Sequence, residues 1–204
     1  MNKVSFLFTI NVIILMVIFT GCKTGGLLEM EQDENKQFMT QKINIGRKNL
    51  IVDLPFEFSS KFENQPVDIP EMEFVDKSEK ARQFKDNFSF SVVHNVFSSE
   101  LLPSIINIGY DEALKVTVDE DFENIKKHSE YKNVKLLSNK SIFIGKYSGR
   151  EILINYVYKS KKVSTKAIYI MFENELLIIG FDFLTDDDGT TKIVDKTLKS
   201  IKIE

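Results

Sequence analysis

The sequence is poor in the residues that metal sites and disulfides need. Its 204 residues include one cysteine, two histidines and no tryptophan. A single cysteine cannot form an intramolecular disulfide, and the two histidines occur in neither an H-x-E nor an H-E-x-x-H spacing. No G-x-G-x-x-G or phosphate-binding loop is present, and no serine lies in a G-x-S-x-G motif. We therefore expect no metal and no cofactor, and no catalytic motif is recognisable.

An excess of charge of one sign is also lacking. Lys and Arg number 27 and Asp and Glu number 30, which gives a formal net charge of −3. Because the two signs are interleaved, the sequence predicts no basic surface of the kind that binds nucleic acid. Only four prolines and nine glycines stand beside 17 phenylalanines, so the chain has the apolar residues for one folded domain.

The longest apolar run lies at the N-terminus and ends close to the one cysteine. Lys3 precedes the run 4–19, and Thr20 and Gly21 come directly before Cys22. This order is typical of a secretory signal peptide with a small-residue cleavage site. The alternative is an uncleaved membrane helix, because about 17 to 25 apolar residues can span a bilayer. Both interpretations predict a domain outside the cytoplasm on a membrane surface.

The residues up to Cys22 resemble the lipobox of bacterial lipoproteins. In that family the cysteine after the cleavage point is diacylated through its sulfur and becomes the new N-terminus. Thr20 and Gly21 match the pattern, while Phe19 stands where leucine is usual. The resemblance implies a signal peptide over residues 1–21 and a palmitate-type lipid anchor at Cys22. Two or more acyl chains give stable membrane attachment where a single chain does not.

A tether over residues 22–40 and a folded domain over residues 41–204 are predicted next. The tether contains Gly25-Gly26 and the polar run 29–37, with few periodic apolar positions, which is typical of a flexible segment. A coil of about 16 residues spans roughly 20 to 25 Å. We therefore expect the domain to stay close to the membrane.

The folded part predicts an α+β domain with a single antiparallel sheet and helices packed on it. The turn at 46–49 separates two alternating apolar runs and predicts a hairpin. A second hairpin is predicted around 85–87, although its first arm, 80–84, is also compatible with a helical turn. A helix is predicted from an Asp111 cap through Tyr131, since Leu114, Val118, Phe122 and Ile125 recur on one face.

Short strands and one more helix complete the prediction. The strands of an antiparallel meander are expected at 134–137, 141–144, 151–159, 164–172 and 176–184. In the run 176–179 both the odd-numbered and the even-numbered positions are apolar, which predicts a strand covered on both faces. One of Asp186, Asp187 and Asp188 is expected to cap a last helix with Val194, Leu198 and Ile201 on its buried side. Two helices on one sheet make a layered sandwich.

The order of these elements resembles the PsbP-like family of α/β/α sandwiches. The similar pieces are the opening strand with its proline, the central helix, a glycine-flanked turn that enters a long strand, and the closing helix end: 50–56, 111–131, 144–150 and 198–203. The resemblance covers about residues 41–203 and implies the sandwich fold and binding to other proteins. No metal or partner residue of the namesake is matched here.

His94 is the first candidate for chemistry. It shares parity with Phe88, Phe90 and Val92, so a partly buried, hydrogen-bonded histidine within a sheet is the favoured interpretation, with a catalytic role as the alternative. His128 is expected near the C-terminal end of its helix, where the helix dipole favours a cation.

The acidic run and the tyrosines have structural interpretations as well. Asp186, Asp187 and Asp188 precede Gly189, but the register of a calcium loop fails, so a helix cap is favoured over a calcium site. Tyrosines 147, 156, 158 and 169 are compatible with a binding surface or with ordinary faces of a sheet.

These observations predict a membrane-anchored cell-envelope lipoprotein that binds or assembles with another protein and is not an enzyme. The alternatives are an envelope hydrolase that uses His94 and a carrier of an apolar ligand, the latter because phenylalanine is abundant. The predicted partners are the membrane, through Cys22, and a protein. Nucleic acid is not expected.

Overall fold

The protein folds into two antiparallel sheets and three helices within the residues that the computed structural model describes, which are 37–67, 74–85 and 88–204. The predicted signal peptide, Cys22 and most of the predicted tether lie outside these residues. No helix in the described part is both long enough and apolar enough to cross a bilayer.

The larger sheet has seven strands in the order β3-β4-β5-β9-β8-β7-β6. The strands are β3 (Glu63–Asn64), β4 (Val75–Lys85), β5 (Phe88–Phe97), β6 (Tyr131–Ile144), β7 (Tyr147–Tyr158), β8 (Lys161–Phe172) and β9 (Glu175–Leu184). The predicted meander and the hairpin of β4 and β5 are confirmed. The two short strands expected at 134–137 and 141–144 are one strand, β6, because two irregularities in register let it stay paired with β7 throughout.

The prediction of a single sheet is wrong. A second sheet has the order β1-β2-β10 and consists of β1 (Met39–Ile45), β2 (Lys48–Leu54) and β10 (Lys202–Ile203). The predicted hairpin at Gly46 forms, but it does not extend the larger sheet. Its apolar side chains, which are Ile43, Ile45, Leu50, Val52 and Leu54, are buried against the larger sheet instead. The layer on this face of the larger sheet thus contains the smaller sheet as well as a helix.

The helices are α1 (Leu102–Ile108), α2 (Tyr110–Lys127) and α3 (Asp188–Ser200). Helix α1 was not predicted, and the predicted helix ends at Lys127 rather than at Tyr131. Gly109 occupies the N-cap of α2, and Asp111 lies in the first turn. The Asp111 carboxylate instead accepts hydrogen bonds from Ser141 and Arg150, at 2.7 and 3.0 Å, so the predicted Asp111 cap is wrong.

Two apolar cores lie on opposite faces of the larger sheet. The helix-side core packs that sheet against α1 and α2, and the sheet-side core packs it against the smaller sheet and α3. In β9, Leu176 and Ile178 belong to the first core, and Leu177 and Ile179 belong to the second. The expected two-sided coverage of 176–179 is confirmed.

Candidate functional site

His94 lies on β5 between two glutamates. Its Nδ1 is 2.9 Å from Glu79 Oε1 and its Nε2 is 2.7 Å from Glu175 Oε2. Glu79 is the residue directly opposite His94 in the pairing of β4 with β5, and Glu175 opens β9 on the other side. The histidine is 1% exposed, so it is fully rather than partly buried. Its predicted place as a hydrogen-bonded sheet residue is confirmed.

A neutral imidazole has too few N–H groups to donate a hydrogen bond to each of the two glutamates. A neutral ring carries one N–H and one acceptor nitrogen, and an ionised carboxylate only accepts. Both contacts with His94 are therefore hydrogen bonds only if the ring is doubly protonated or if one glutamate carries a proton. Lys77 Nζ lies 2.7 Å from Glu79 Oε2. With an imidazolium, two positive charges face two negative charges and the group is neutral.

Glu79 and Gly46 complete this group. Partial burial alone would raise the pKa of Glu79, but hydrogen bonds from Lys77 and His94 outweigh it and hold that pKa below its ordinary value. Gly46, at the tip of the β1–β2 hairpin, has φ +56°, and a Cβ there would stand 2.8 Å from His94 Cε1. The smaller sheet therefore approaches the imidazole through a residue without a side chain.

The His94 group links three neighbouring strands of the larger sheet, β4, β5 and β9, but it offers little to a substrate. A general base needs a free lone pair within reach of the proton that it removes. Both ring nitrogens of His94 are engaged, and the ring is shielded from solvent. The geometry therefore gives no support to the alternative of a hydrolase that uses His94.

A second polar group lies on the opposite face of the same strands. Arg82 Nη2 and Ser89 Oγ are each 3.1 Å from Asp182 Oδ2, and Thr165 Oγ1 donates to Asp182 Oδ1 at 2.6 Å. Burial raises the pKa of Asp182, and the charge of Arg82 and the two hydroxyl groups partly offset this. Lys80, two residues before Arg82 on β4, is 7% exposed and belongs to the same face.

Sequence reasoning missed this polar group. Its signal was the presence of polar residues inside two largely apolar strands: Ser89 and Ser91 on β5, and Asp182 on β9. Lys80 and Arg82 gave no such signal, because most residues of β4 are polar. No motif spacing joins these residues, because strand pairing rather than sequence distance brings them together.

Strand β6 forms an edge of the larger sheet. Within the described residues no strand pairs with the side of β6 that faces away from β7. The side chain of Phe143 is 75% exposed and that of Leu137 is 54% exposed. The strand contains three exposed lysines, Lys132, Lys135 and Lys140, and no acidic residue. Lys140 and Phe143 are three residues apart with no irregularity in register between them, so they face opposite sides of the sheet. We refer to these five side chains, which line the edge on both of its faces, as the β6 surface.

The other sequence candidates have structural roles. Asp187 caps α3 by accepting a hydrogen bond from the Thr190 amide at 2.8 Å, which confirms the expected cap. His128 is the C-cap residue of α2, and its ring lies 4.8 Å from that of Tyr131.

The four tyrosines do not form a common surface. Tyr156 and Tyr169 are buried in the helix-side core, whereas Tyr147 lies against the sheet-side core and Tyr158 against the edge of the helix-side core. Among the described residues, no group of three or more His, Cys, Asp or Glu side chains is arranged to hold a metal ion.

Comparison with known proteins gives matches to solved structures at low sequence identity. No protein-family model and no characterised protein sequence matches the chain. Cyanobacterial PsbP (CyanoP) from Synechocystis sp. PCC 6803 is similar in structure with a TM-score of 0.46 and 10% identity, over 92% of this chain and 99% of that protein.

Two further solved structures are similar at a comparable level. PA94 from Pseudomonas aeruginosa, a putative regulator of unknown function, has a TM-score of 0.41 and 12% identity, over 77% of this chain and 91% of its own. LpqN from Mycobacterium tuberculosis, involved in cell envelope biogenesis, has a TM-score of 0.38 and 13% identity, over 81% and 91%. At this level of similarity, these structures establish neither a family nor a function for this chain.

Proposed function

We propose that this chain is a membrane-anchored cell-envelope lipoprotein whose domain is a non-enzymatic module that binds or assembles with another protein. The signal-like run and the lipobox-like residues before Cys22 support the anchor. Both ring nitrogens of His94 contact glutamates and the ring is shielded from solvent, which supports a role without catalysis. The observation that carries the binding role is the β6 surface, where two large apolar side chains stand exposed among lysines on an edge strand.

The composition of the β6 surface favours an acidic partner. A protein that places carboxylates against Lys132, Lys135 and Lys140 gains electrostatic complementarity, and apolar contacts with Leu137 and Phe143 add buried area. The lysines and the register irregularities also fit an edge that resists pairing with further strands. Contact through side chains is therefore the proposed mode, rather than addition of a strand.

The binding role is tested by photo-crosslinking in intact cells. A photoreactive phenylalanine analogue replaces Phe143, and the matched control carries it at Phe84, an exposed aromatic residue on β4. A discrete protein adduct is expected from position 143 alone. Lys140→Glu should reduce the yield of that adduct, while Lys192→Glu on α3 should not. Equal labelling from positions 143 and 84, or no adduct from 143, would refute the proposed surface.

The anchor requires a separate test. Cys22→Ala should abolish labelling of the chain by radioactive or alkyne-tagged fatty acid and should prevent its stable retention in membranes. Fatty-acid labelling that survives the substitution would refute the lipoprotein assignment, and it would leave the β6 surface unaffected.

A further inference from the structure

Lys80 and Asn95 stand close together on the helix-side face of the larger sheet. In the pairing of β4 with β5, Ser78 is opposite Asn95 and Lys80 is opposite Val93. Residues two apart on a strand share a face, so Lys80 and Asn95 are diagonal neighbours, with Cα atoms about 7 to 8 Å apart. The four-carbon stem of lysine easily spans such a gap. Val93, Phe97 and Leu101 belong to the helix-side core that covers this face.

The polar atoms of this pair are buried without hydrogen bonds. Lys80 is 7% exposed and Asn95 is 0% exposed. In the described part of the chain, Lys80 Nζ, both amide atoms of Asn95 and Arg82 Nε have no hydrogen-bond partner. A buried donor or acceptor left unsatisfied costs about 1 to 3 kcal/mol, and more if it is charged. Buried polar groups of this kind are normally satisfied by a ligand or by ordered water.

The charge at this place is that of a single cation. Arg82 is paired with Asp182 at 3.1 Å, so these two charges offset each other when Asp182 is ionised. Among the described residues no carboxylate lies within ion-pair distance of the Lys80 ammonium, and Asp182, which Arg82 already engages, acts on it only at longer range. A group with one negative charge would neutralise it, whereas a dianion would leave an excess negative charge in a buried place, which is costly.

We propose that Lys80 and Asn95 form a buried site for the carboxylate group of a small organic acid or a fatty acid. Lys80 Nζ and Asn95 Nδ2 donate to the carboxylate oxygens, and Arg82 Nε, two residues along β4, is a further buried donor without a partner. The apolar neighbours Val93, Phe97 and Leu101 provide contacts for the carbon portion of the acid. This site does not depend on the proposed protein-binding role, because three strands, β9, β8 and β7, separate β5 from β6.

Binding at this site should be coupled to a proton. Burial and the nearby charge of Arg82 lower the pKa of Lys80 to about 7 in the empty site, and Asp182 opposes this only in part. A bound carboxylate favours the ammonium form and raises that pKa again. Well above pH 7 the Lys80 side chain is neutral in the empty site and must take up a proton when the carboxylate binds. The affinity for the carboxylate should therefore fall about tenfold for each pH unit.

The experiment is an NMR titration of the full chain with sodium acetate and, separately, sodium decanoate, against sodium chloride at equal ionic strength. We expect saturable shifts of the Asn95 side-chain amide with at least one acid, and a dissociation constant about tenfold weaker at pH 9 than at pH 8. Binding of both acids with similar affinity identifies small acids as ligands. Binding of decanoate alone identifies fatty acids.

Two variants and one control decide the assignment. Lys80→Met should abolish the saturable shifts of the Asn95 side-chain amide, whereas Lys85→Met, which changes an exposed lysine of the same strand, should leave them unchanged. Asn95→Leu lacks that amide, so in this variant the backbone amides of Val93 and Phe97 are followed, and their saturable shifts should be lost. The proposal is wrong if neither acid gives a saturable shift, because ordered water alone would then satisfy the site. It is equally wrong if the shifts persist in Lys80→Met.

Discussion

Replacing Lys80 by methionine should stabilise the protein. The ammonium is buried, and its pKa of about 7 lies far below the ordinary value of 10.5. By linkage this difference corresponds at pH 7 to a penalty of about 4 kcal/mol in the free energy of unfolding. Methionine keeps an unbranched stem and carries no charge, so it avoids this penalty at little cost in packing.

The pH dependence distinguishes this cause from a general gain in packing. Between pH 7 and 10.5 the unfolded chain holds a proton on Lys80 that the folded chain releases, so the stability of the natural protein rises with pH in this window. The contribution of Lys80 to that rise is about 2 kcal/mol between pH 7 and pH 9. Lys80→Met lacks this contribution, so its advantage should shrink by the same amount.

Chemical denaturation of the full chain at pH 7, 8 and 9 measures both quantities, and Lys85→Met serves as the exposed control from the same strand. The difference between Lys80→Met and the natural protein isolates Lys80, because all other titrating groups are common to both. A stability difference that is constant over this pH range, or a variant less stable at pH 7, would show that the buried ammonium is not the source of the penalty.

Two further substitutions test the His94 group and a buried carboxylate of α2, Asp121, which is hydrogen-bonded to Tyr169 of β8. Gly46→Ala should lower the free energy of unfolding by at least about 2 kcal/mol more than Gly145→Ala. Both glycines have positive φ, so both substitutions share a backbone cost of about 1 to 2 kcal/mol. Only the methyl group at position 46 would displace the His94 ring. Equal losses in urea denaturation would contradict the close approach to His94. Asp121→Asn should stabilise the protein increasingly as the pH rises above about 4, by up to about 1.4 kcal/mol per pH unit. The reason is that burial raises the pKa of Asp121, so the folded state must either retain the proton of this carboxyl group or bury its charge. The amide can still accept the hydrogen bond from Tyr169, which measures 2.9 Å to Asp121, and a pH-independent difference would refute this explanation.

Local patterns predicted most of the strands and missed how they assemble. The hairpin at Gly46 was recognisable because alternating apolar residues flank a turn with a glycine. The sheet that the hairpin joins was not recognisable, because β2 pairs with β10, which lies about 150 residues later in the chain, and no local pattern predicts such a pairing. Helix α1 was missed because it is short, has Pro103 in its first turn and begins only five residues after the end of β5.

The candidate sites show the same limit. His94 was placed correctly by parity, but its two glutamates lie 15 and 81 residues away and were not predicted. Lys80 was noticed only as part of a strand, because its burial follows from the layers above the sheet rather than from its neighbours in sequence. Asp187 was predictable, since a cap acts within its own helix turn.

The contrast between Lys80 and the other interior cations supports a functional explanation for Lys80. Arg82 is paired with Asp182, Arg150 with Asp111, and Lys166 with Asp195 at 2.7 Å. Each of these cations lies within ion-pair distance of a carboxylate, whereas Lys80 has only the more distant Asp182, which Arg82 already engages. A methionine would remove the resulting penalty with a single substitution, so stability alone does not explain a lysine here. A carboxylate that arrives as a ligand would complete the pattern that the other three cations already follow.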